Sequence, residues 1–521
     1  FSSAFYFSYG LNSVKIINNP KLSALSSTFA YCFALRSISL GYTTSLTTVT
    51  SMASQCYQLQ DVNLFDTSNV TDFSGMFAAC YSIKHIPTYN TVSGTNFQST
   101  FDNCHALQSV PCFNTPNATN MLGMFSTCRN LQTLPKLDMT NVISLDYYIR
   151  ECHSLKEVTI VAPKVLSMTY FSVSNYGLRK ATLTLGRTWR YATSMFDGCL
   201  ALESSGVSIT LGGEATRVFQ SVAIADTAGN FTNDGTVTGV VPGQRVVVTG
   251  TKTGTGNIVG YTNPTTYYII ATNESSTFQL STTWNGSPVT TVAGTTTGLT
   301  FTLAGSALQN IQSMFSSCHS LREAPTFPSE LSQPNAINYS ANVFYECQSL
   351  GSVPDNFIHL GRSTEFGSMF RHCFSLTTAP ALDTSKATGM SYMFESCYGL
   401  RTIPTYSTSL VTNFDNFASS CYSLKKAPAL NMISSTYSLS AFSSCYSLTD
   451  GSAVTNCSVD ITYDTGNLSG PAIDAIYTNL LTVSSKTINV VANWGTTSTG
   501  TGINASHTPS IATAKGWTVS G

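Results

Sequence analysis

Along "VTDFSGMFAACYSIKHIPTY" the apolar residues fall at roughly every third place: Val70, Phe73, Met76 with Phe77, Cys80, Ile83 and Ile86. A long helix would space them by about 3.6 residues and a strand by about two, so neither fits. A polygonal coil does, with short arcs, tight corners and one side chain turned inward per arc. The pattern returns 24 residues on, from "CYSIKHI" at Cys80 to "CHALQSV" at Cys104 and "CRNLQTL" at Cys128. A unit of that length cannot bury a core of its own, so successive units must stack and share one.

Thirteen cysteines keep this phase: Cys32, Cys56, Cys80, Cys104, Cys128, Cys152, Cys199, Cys318, Cys347, Cys373, Cys397, Cys421 and Cys445. Leu, or Ile83 in one case, follows each at the third place, and Phe precedes most, as at Phe77 and Phe101. Proline often stands seven places on, as at Pro87, Pro111 and Pro135. Asn175 and Ser8 hold the phase in two further turns, which brings the array to about fifteen. At ~4.8 Å per stacked turn this predicts a rod of roughly 70 Å. Cysteine behaves as a small buried apolar side chain, which suits a crowded inner corner. Stacked neighbours at ~4.8 Å are also further apart than the roughly 3.5–4.5 Å between Cβ atoms that a disulfide prefers. The pattern therefore predicts a structural core ladder of free thiols. The array opens part-way through a turn, so further chain is expected upstream of Phe1.

The stretches "LFDTSNVTDFSGMFAACYSI", "LDMTNVISL" and "LDTSKATGMSYMFESCYGL" resemble the BspA-like leucine-rich repeats of bacterial surface proteins and mycoplasma-type lipoproteins. Similar repeats occur in bacteriophage virion proteins. The resemblance implies a β-rich, leucine-rich-repeat-like solenoid of about fifteen turns with short helical or 3-10 segments. It leaves the ligand open, because such a scaffold hosts many partners.

The rhythm stops between Cys199 and Cys318. The intervening runs "QRVVVTG", "TYYIIAT", "STFQLST" and "GLTFTL" are β-branched and aromatic, separated by Gly, Asn and Pro, and predict an inserted all-β domain. Its wording is similar to modules of tailed-phage structural proteins, particularly those of marine cyanobacteria. After Cys445 the text changes again. "LSGPAIDAIYTNLL" predicts a short helix with Pro471 in its first turn, and "TINVV" a strand. The expected division is solenoid over 1–205, inserted domain over 206–305, solenoid over 306–450 and a C-terminal α/β cap over 451–521, whose end reads as native.

Charged residues make up 10% of the chain and the net charge is −1, against about 25% charged in typical soluble domains. Without a basic surplus the footprint of a nucleic-acid binder is missing. No apolar run reaches the ~18 residues of a membrane span. His105, His153 and His319 each follow a ladder cysteine and His372 precedes one, but structural zinc favours ligands two to four apart. These read as surface histidines, with no metal or cofactor. Asp66, Asp138 and Asp383 share one repeat phase, which suggests turn-forming hydrogen bonds. No P-loop, GxSxG or HExxH occurs, and the chain does not read as an enzyme.

One surface pattern remains. The residue directly after the cysteine phase is aromatic or His in twelve of fifteen turns. Tyr57, Tyr81, His105, His153, Tyr398, Tyr422 and Tyr446 form the candidate ligand-facing stripe. Its rings could pack on sugar faces while Lys84, Arg401 and Lys425 supply hydrogen bonds; the alternative is that the stripe seals the corner between turns. With the resemblance, this implies a phage virion protein, a tail fibre or surface appendage at the virion surface. Its partners would be a host cell-surface glycan or protein and other virion proteins. A BspA-like bacterial adhesin and a purely structural spacer or filament subunit are the alternatives, and homo-oligomerisation stays open.

Overall fold

The computed structural model describes residues 1–212, 217–219, 222–233, 240–273, 276–283, 286–304, 307–332, 336–463, 465, 467–490 and 507–520. Parts of the expected inserted domain and cap, among them 234–239 and 491–506, lie outside the described residues. The chain forms two units, Phe1–Gly213 with Met314–Ser320, and Glu214–Ser313 with Leu321–Gly521.

The first unit is a β-solenoid in which every coil hydrogen-bonds to the next. The stretch leading to each cysteine is a run of consecutive turns, not a helix, and its amides alternate in direction. Thr28 and Ala30 donate within their own coil to the carbonyls of Leu25 and Ser27, while Phe29 and Tyr31 donate to Met52 and Ser54 in the next. The short helical segment expected in each coil takes this form because the alternation consumes the amides a helix would need. It also requires two left-handed residues per coil, as at Ser27 (φ 50°) and Tyr31 (φ 62°). Ser recurs most often at these places, joined by Asn and Gly, which tolerate that region best.

On another side the coils pair as parallel strands. β1 (Ser13–Ile16), β2 (Ser37–Leu40) and β3 (Asp61–Val62) form one sheet. β4 (Glu157–Ala162), β5 (Lys180–Gly186) and β6 (Val207–Gly212) form another. Ser13 faces Ser37 and Ser37 faces Asp61, so the repeat period is the sheet register. Single bridges join Ala24, Thr48, Asp72, Asn96, Asn120 and Ser144 in the same sense. Val70, Phe73, Met76, Phe77, Cys80 and Ile83 are all buried, one tier of a core that every coil extends.

The second unit contains further coils built the same way, with an all-β insertion and the cap. The insertion is an eight-stranded antiparallel sheet in which Arg245–Gly250 lies between Thr265–Thr272 and Leu299–Ala304. Phe219, Phe231, Phe278, Phe301, Ile269 and Leu280 belong to its own core. In the cap, helix α1 (Gly470–Asn479) starts at Ser469, whose hydroxyl accepts the Ala472 amide, with Pro471 early in the helix as expected. The winding continues past the last cysteine-phase coil. Ile461–Thr462, Lys486–Asn489 and Trp517–Ser520 stack in parallel, and the coils number about 19, more than the fifteen expected from the cysteine phase. The extra windings lack the cysteine, which is why the phase did not count them.

Candidate functional site

Two columns run along the coils, one inside and one outside. All thirteen ladder cysteines are buried and none forms a disulfide. Their sulfurs are not merely apolar fillers. Cys56 Sγ donates to the Phe29 carbonyl at 3.0 Å, Cys104 to Phe77 at 3.1 Å, Cys128 to Phe101 at 3.1 Å and Cys397 to Phe370 at 3.0 Å. The acceptor in each of these bonds is the residue three before the cysteine phase of the preceding coil. That carbonyl also takes an amide from its own coil, as Phe29 takes Cys32 N–H, so both its lone pairs are used. Asn175 explains the rule: its Nδ2 donates at 2.7 Å to Ile149, which holds the equivalent place. What the corner needs is a short side chain with a donor, and size alone, the property read from the sequence, was half of it. Burial pushes the thiols of Cys56 and Cys199 up to about 12. Cys80, Cys128, Cys373 and Cys421 are also raised well above the ordinary thiol value by burial, with neighbouring thiols adding to it.

The outer column is the candidate stripe. In the first unit Tyr9, Phe33, Tyr57, Tyr81 and His105 stack in order, with Tyr57 and Tyr81 centroids 4.6 Å apart and planes 1° from parallel. Arg129 ends this column and is paired instead with Glu151 at 3.3 Å. His153 begins a separate pair with Tyr176 at 4.7 Å, and its Nδ1–H donates to the Ser174 carbonyl. In the second unit Phe374, Tyr398, Tyr422 and Tyr446 stack at 4.8, 4.7 and 5.3 Å. Tyr398 is 38% exposed and Tyr446 49%. Burial and then Arg129 lower the pKa of His105, so it joins its stack as the neutral ring near pH 7.

This geometry changes the mode of contact expected from the sequence. Ring faces within a column cover one another, so a sugar cannot lie flat on them. What stays exposed is part of each ring, as at Tyr81, Tyr398, Tyr422 and Tyr446, while the Tyr57 hydroxyl donates to Gln55 Oε1 at 3.0 Å. Lys84, Arg401 and Lys425 stand exposed three residues beyond Tyr81, Tyr398 and Tyr422.

Asp66, Asp138 and Asp383 each accept the amide two residues on, from Ser68, Thr140 and Ser385, and serve as turn formers. Among the described residues no three His, Cys, Asp or Glu side chains are placed to hold a metal ion. No helix among them is long and apolar enough to cross a membrane.

Among the buried polar groups that sequence reasoning missed is Tyr148. Tyr148 stands four before Cys152, where the coils of Cys56, Cys80 and Cys128 carry Met52, Met76 and Met124. Its hydroxyl is buried without a partner. The signal was available: a phenol in an interior place held by Met52, Met76 and Met124 in other coils and by the smaller Thr28 and Thr100 in two more.

Residues 44–160 and 360–450 match a family described as "Mycoplasma protein of unknown function, DUF285". No curated protein matches the chain in sequence. Among solved structures, the chain is similar to a leucine rich cell surface protein from Faecalibacterium prausnitzii, at 16% identity and a TM-score of 0.36, covering 82% of this chain and 88% of that one. It is also similar to a leucine-rich repeat protein from Bacteroides ovatus, at 12% identity and a TM-score of 0.37, covering 98% and 92%. A leucine-rich repeat protein from Eubacterium ventriosum follows at 11% identity and a TM-score of 0.31, covering 85% and 84%.

Proposed function

We propose that this chain is a non-enzymatic recognition scaffold that works outside cells and attaches to a host cell surface through its ring columns. The observation that carries this reading is the stack of Phe374, Tyr398, Tyr422 and Tyr446, whose three tyrosines are exposed. Rings that only sealed a corner would not need to leave Tyr398, Tyr422 and Tyr446 exposed. A row of phenol edges about one coil apart offers a donor and an acceptor per step to a glycan chain or an extended protein surface. The setting we propose from the sequence is a tailed-phage fibre or other virion appendage. The match of two solenoid stretches to a family described from Mycoplasma favours the second reading, a bacterial surface adhesin.

The test is binding of the whole chain to an array of immobilised bacterial surface polysaccharides and outer-surface proteins. Replacing Tyr398, Tyr422 and Tyr446 together by Ser is expected to lower retention on the bound members at least tenfold with an unchanged circular dichroism spectrum. Undiminished binding by that variant rejects the ring columns as the contact.

A further inference from the structure

The coil-to-coil ladder has a break in the first unit. At the fourth residue after the cysteine phase, an amide in most coils bonds to the coil before it. Gln60 donates to Arg36 at 2.9 Å, Gln132 to Gln108 at 3.1 Å and Arg179 to Lys156 at 2.8 Å. Lys156 makes no such bond to Gln132, as Lys84 makes none to Gln60. Between the coils of Cys128 and Cys152 the chain also changes form three residues further on. The coil of Cys128 carries Pro135, which has no amide to give and holds the chain out of strand geometry. The next coil carries Thr159 there, inside the regular strand β4. β4 pairs with β5 alone, so alternate amides and carbonyls along its other edge face the break.

A groove of about 680 Å³ occupies this break. Leu134, Leu137 and Met139 border it from one coil, Val158 and Ile160 from the other, and Tyr148 between them. Three observations separate it from a packing gap. The Tyr148 hydroxyl beside it is buried and has no hydrogen-bond partner, a costly arrangement unless something completes it. β4 is an open edge: it contains no proline, Glu157 is its one charged residue, and its Val161 is 57% exposed. The rim is basic, since Lys136 and Lys156 border the groove without an ion-pair partner and Glu157 is the one acid beside them.

We propose that this groove binds an extended peptide segment of a partner protein, which adds to the open edge of β4. The peptide would carry small apolar residues at alternate positions and carboxylates at its ends. Its main chain would complete the β4 edge, one apolar side chain would enter between Leu137 and Ile160, and a carbonyl would accept the Tyr148 hydroxyl. The terminal carboxylates would meet Lys136 and Lys156. This is strand addition, with main-chain bonds supplying affinity and alternate side chains supplying choice. The site is separate from the ring columns and does not depend on them.

The test uses the full chain and an array of acetylated heptapeptides with Asp at both ends and Val or Thr alternating between, read by fluorescence anisotropy. Saturable binding is expected for members of the array. Methylating alternate backbone nitrogens of the best binder should weaken it at least tenfold, and replacing its terminal Asp by Lys several-fold. Tyr148→Phe, which keeps the ring, should weaken binding several-fold with the fold unchanged. The Tyr398, Tyr422 and Tyr446 triple Ser variant should bind the peptide as the parent does, so failure of one site leaves the other standing. No saturable binding by any member, or equal binding by the N-methylated peptide, overturns the proposal. So does self-association of the chain that the best peptide does not displace.

Discussion

The coils and the inserted sheet meet the same backbone problem and answer it with different residues. In the coils, left-handed positions are held by Ser27, Tyr31, Gln55, Ser99, Asn103, Thr127 and Glu151 among others. In the sheet they are held by Gly229, Gly243, Gly250, Gly260, Gly294 and Gly298, and among its described residues no other type has a positive φ. A residue with a Cβ in that region costs roughly 1–2 kcal/mol. The coils can carry the cost because the geometry is imposed from the neighbouring coil. Ser27 N–H is held by Thr50 O at 2.9 Å, and Asn103 N–H by Ser126 O at 2.8 Å. The loops of the sheet have no stacked copy of themselves, so only glycine relaxes there. Stability in the coils is a property of adjacency, whereas in the sheet it is local to one core.

The thiols make that difference testable, and the effect should be large. The insertion has no cysteine between Cys199 and Cys318, while each ladder coil has one. Burial raises the folded-state pKa of these thiols, to about 12 for Cys56 and Cys199, above the ~8.5 of an unfolded chain. Below the unfolded value both states keep the proton and stability is fully present. Above it the unfolded chain releases protons that the folded coils retain, so stability falls as pH rises, by ~1.4 kcal/mol per pH unit for each such thiol. A few coils opening together would exhaust a domain stability of about 5–15 kcal/mol. We expect the coils to open near pH 10 while the sheet persists. Brief iodoacetamide pulses after pH jumps, followed by peptide mass spectrometry, should show ladder cysteines labelling together, and a short subtilisin pulse should leave a fragment around 217–304. Unlabelled thiols at pH 11 would contradict this.

The coil was legible in the sequence because stacking repeats each constraint at a fixed interval, so Phe77, Cys80 and Ile83 announce one inner tier many times over. The inserted strands were legible from their β-branched runs. Three features were not. The hydrogen bond from each thiol joins residues a coil apart, and only Asn175, a donor in a cysteine's place, hinted at it. The mutual covering of Tyr398 and Tyr422 depends on ring orientation, which spacing does not carry. The break at β4 depends on what Pro135 denies to Lys156's neighbours, a contact between coils that neither coil shows alone.

Gly250 tests the sheet's side of the comparison, with an effect of intermediate size. It sits at φ 103°, and a Cβ there would lie 2.2 Å from the Gly298 carbonyl oxygen, so backbone must move. Gly250→Ala is expected to cost ~2–3 kcal/mol, and the loss should stay within the sheet. Hydrogen exchange at pH 7 should quicken in peptides from Arg245–Gly250 and Leu299–Ala304, which pair with each other, while exchange at Phe101 and Cys104 stays unchanged. Equal quickening in the coils would mean that the two regions fold as one.

Ser99 tests the coils' side, where the expected change is small and opposite in sign. Its φ is 52°, and Gly123 takes the equivalent place one coil on at 58°. Ser99→Gly removes the Cβ penalty of about 1 kcal/mol but frees the unfolded chain, which returns roughly 0.5–1 kcal/mol of it. The net gain should be at most about 0.5 kcal/mol, read as a slightly higher urea midpoint for the coils. A clear loss would show that the neighbouring coil does not impose this geometry and that the Ser99 side chain helps to hold it. A gain well above 1 kcal/mol would show that the strain is carried uncompensated. Because the Ser99 amide is held by the Leu122 carbonyl at 2.8 Å in either variant, the substitution isolates the Cβ from the bond that places it.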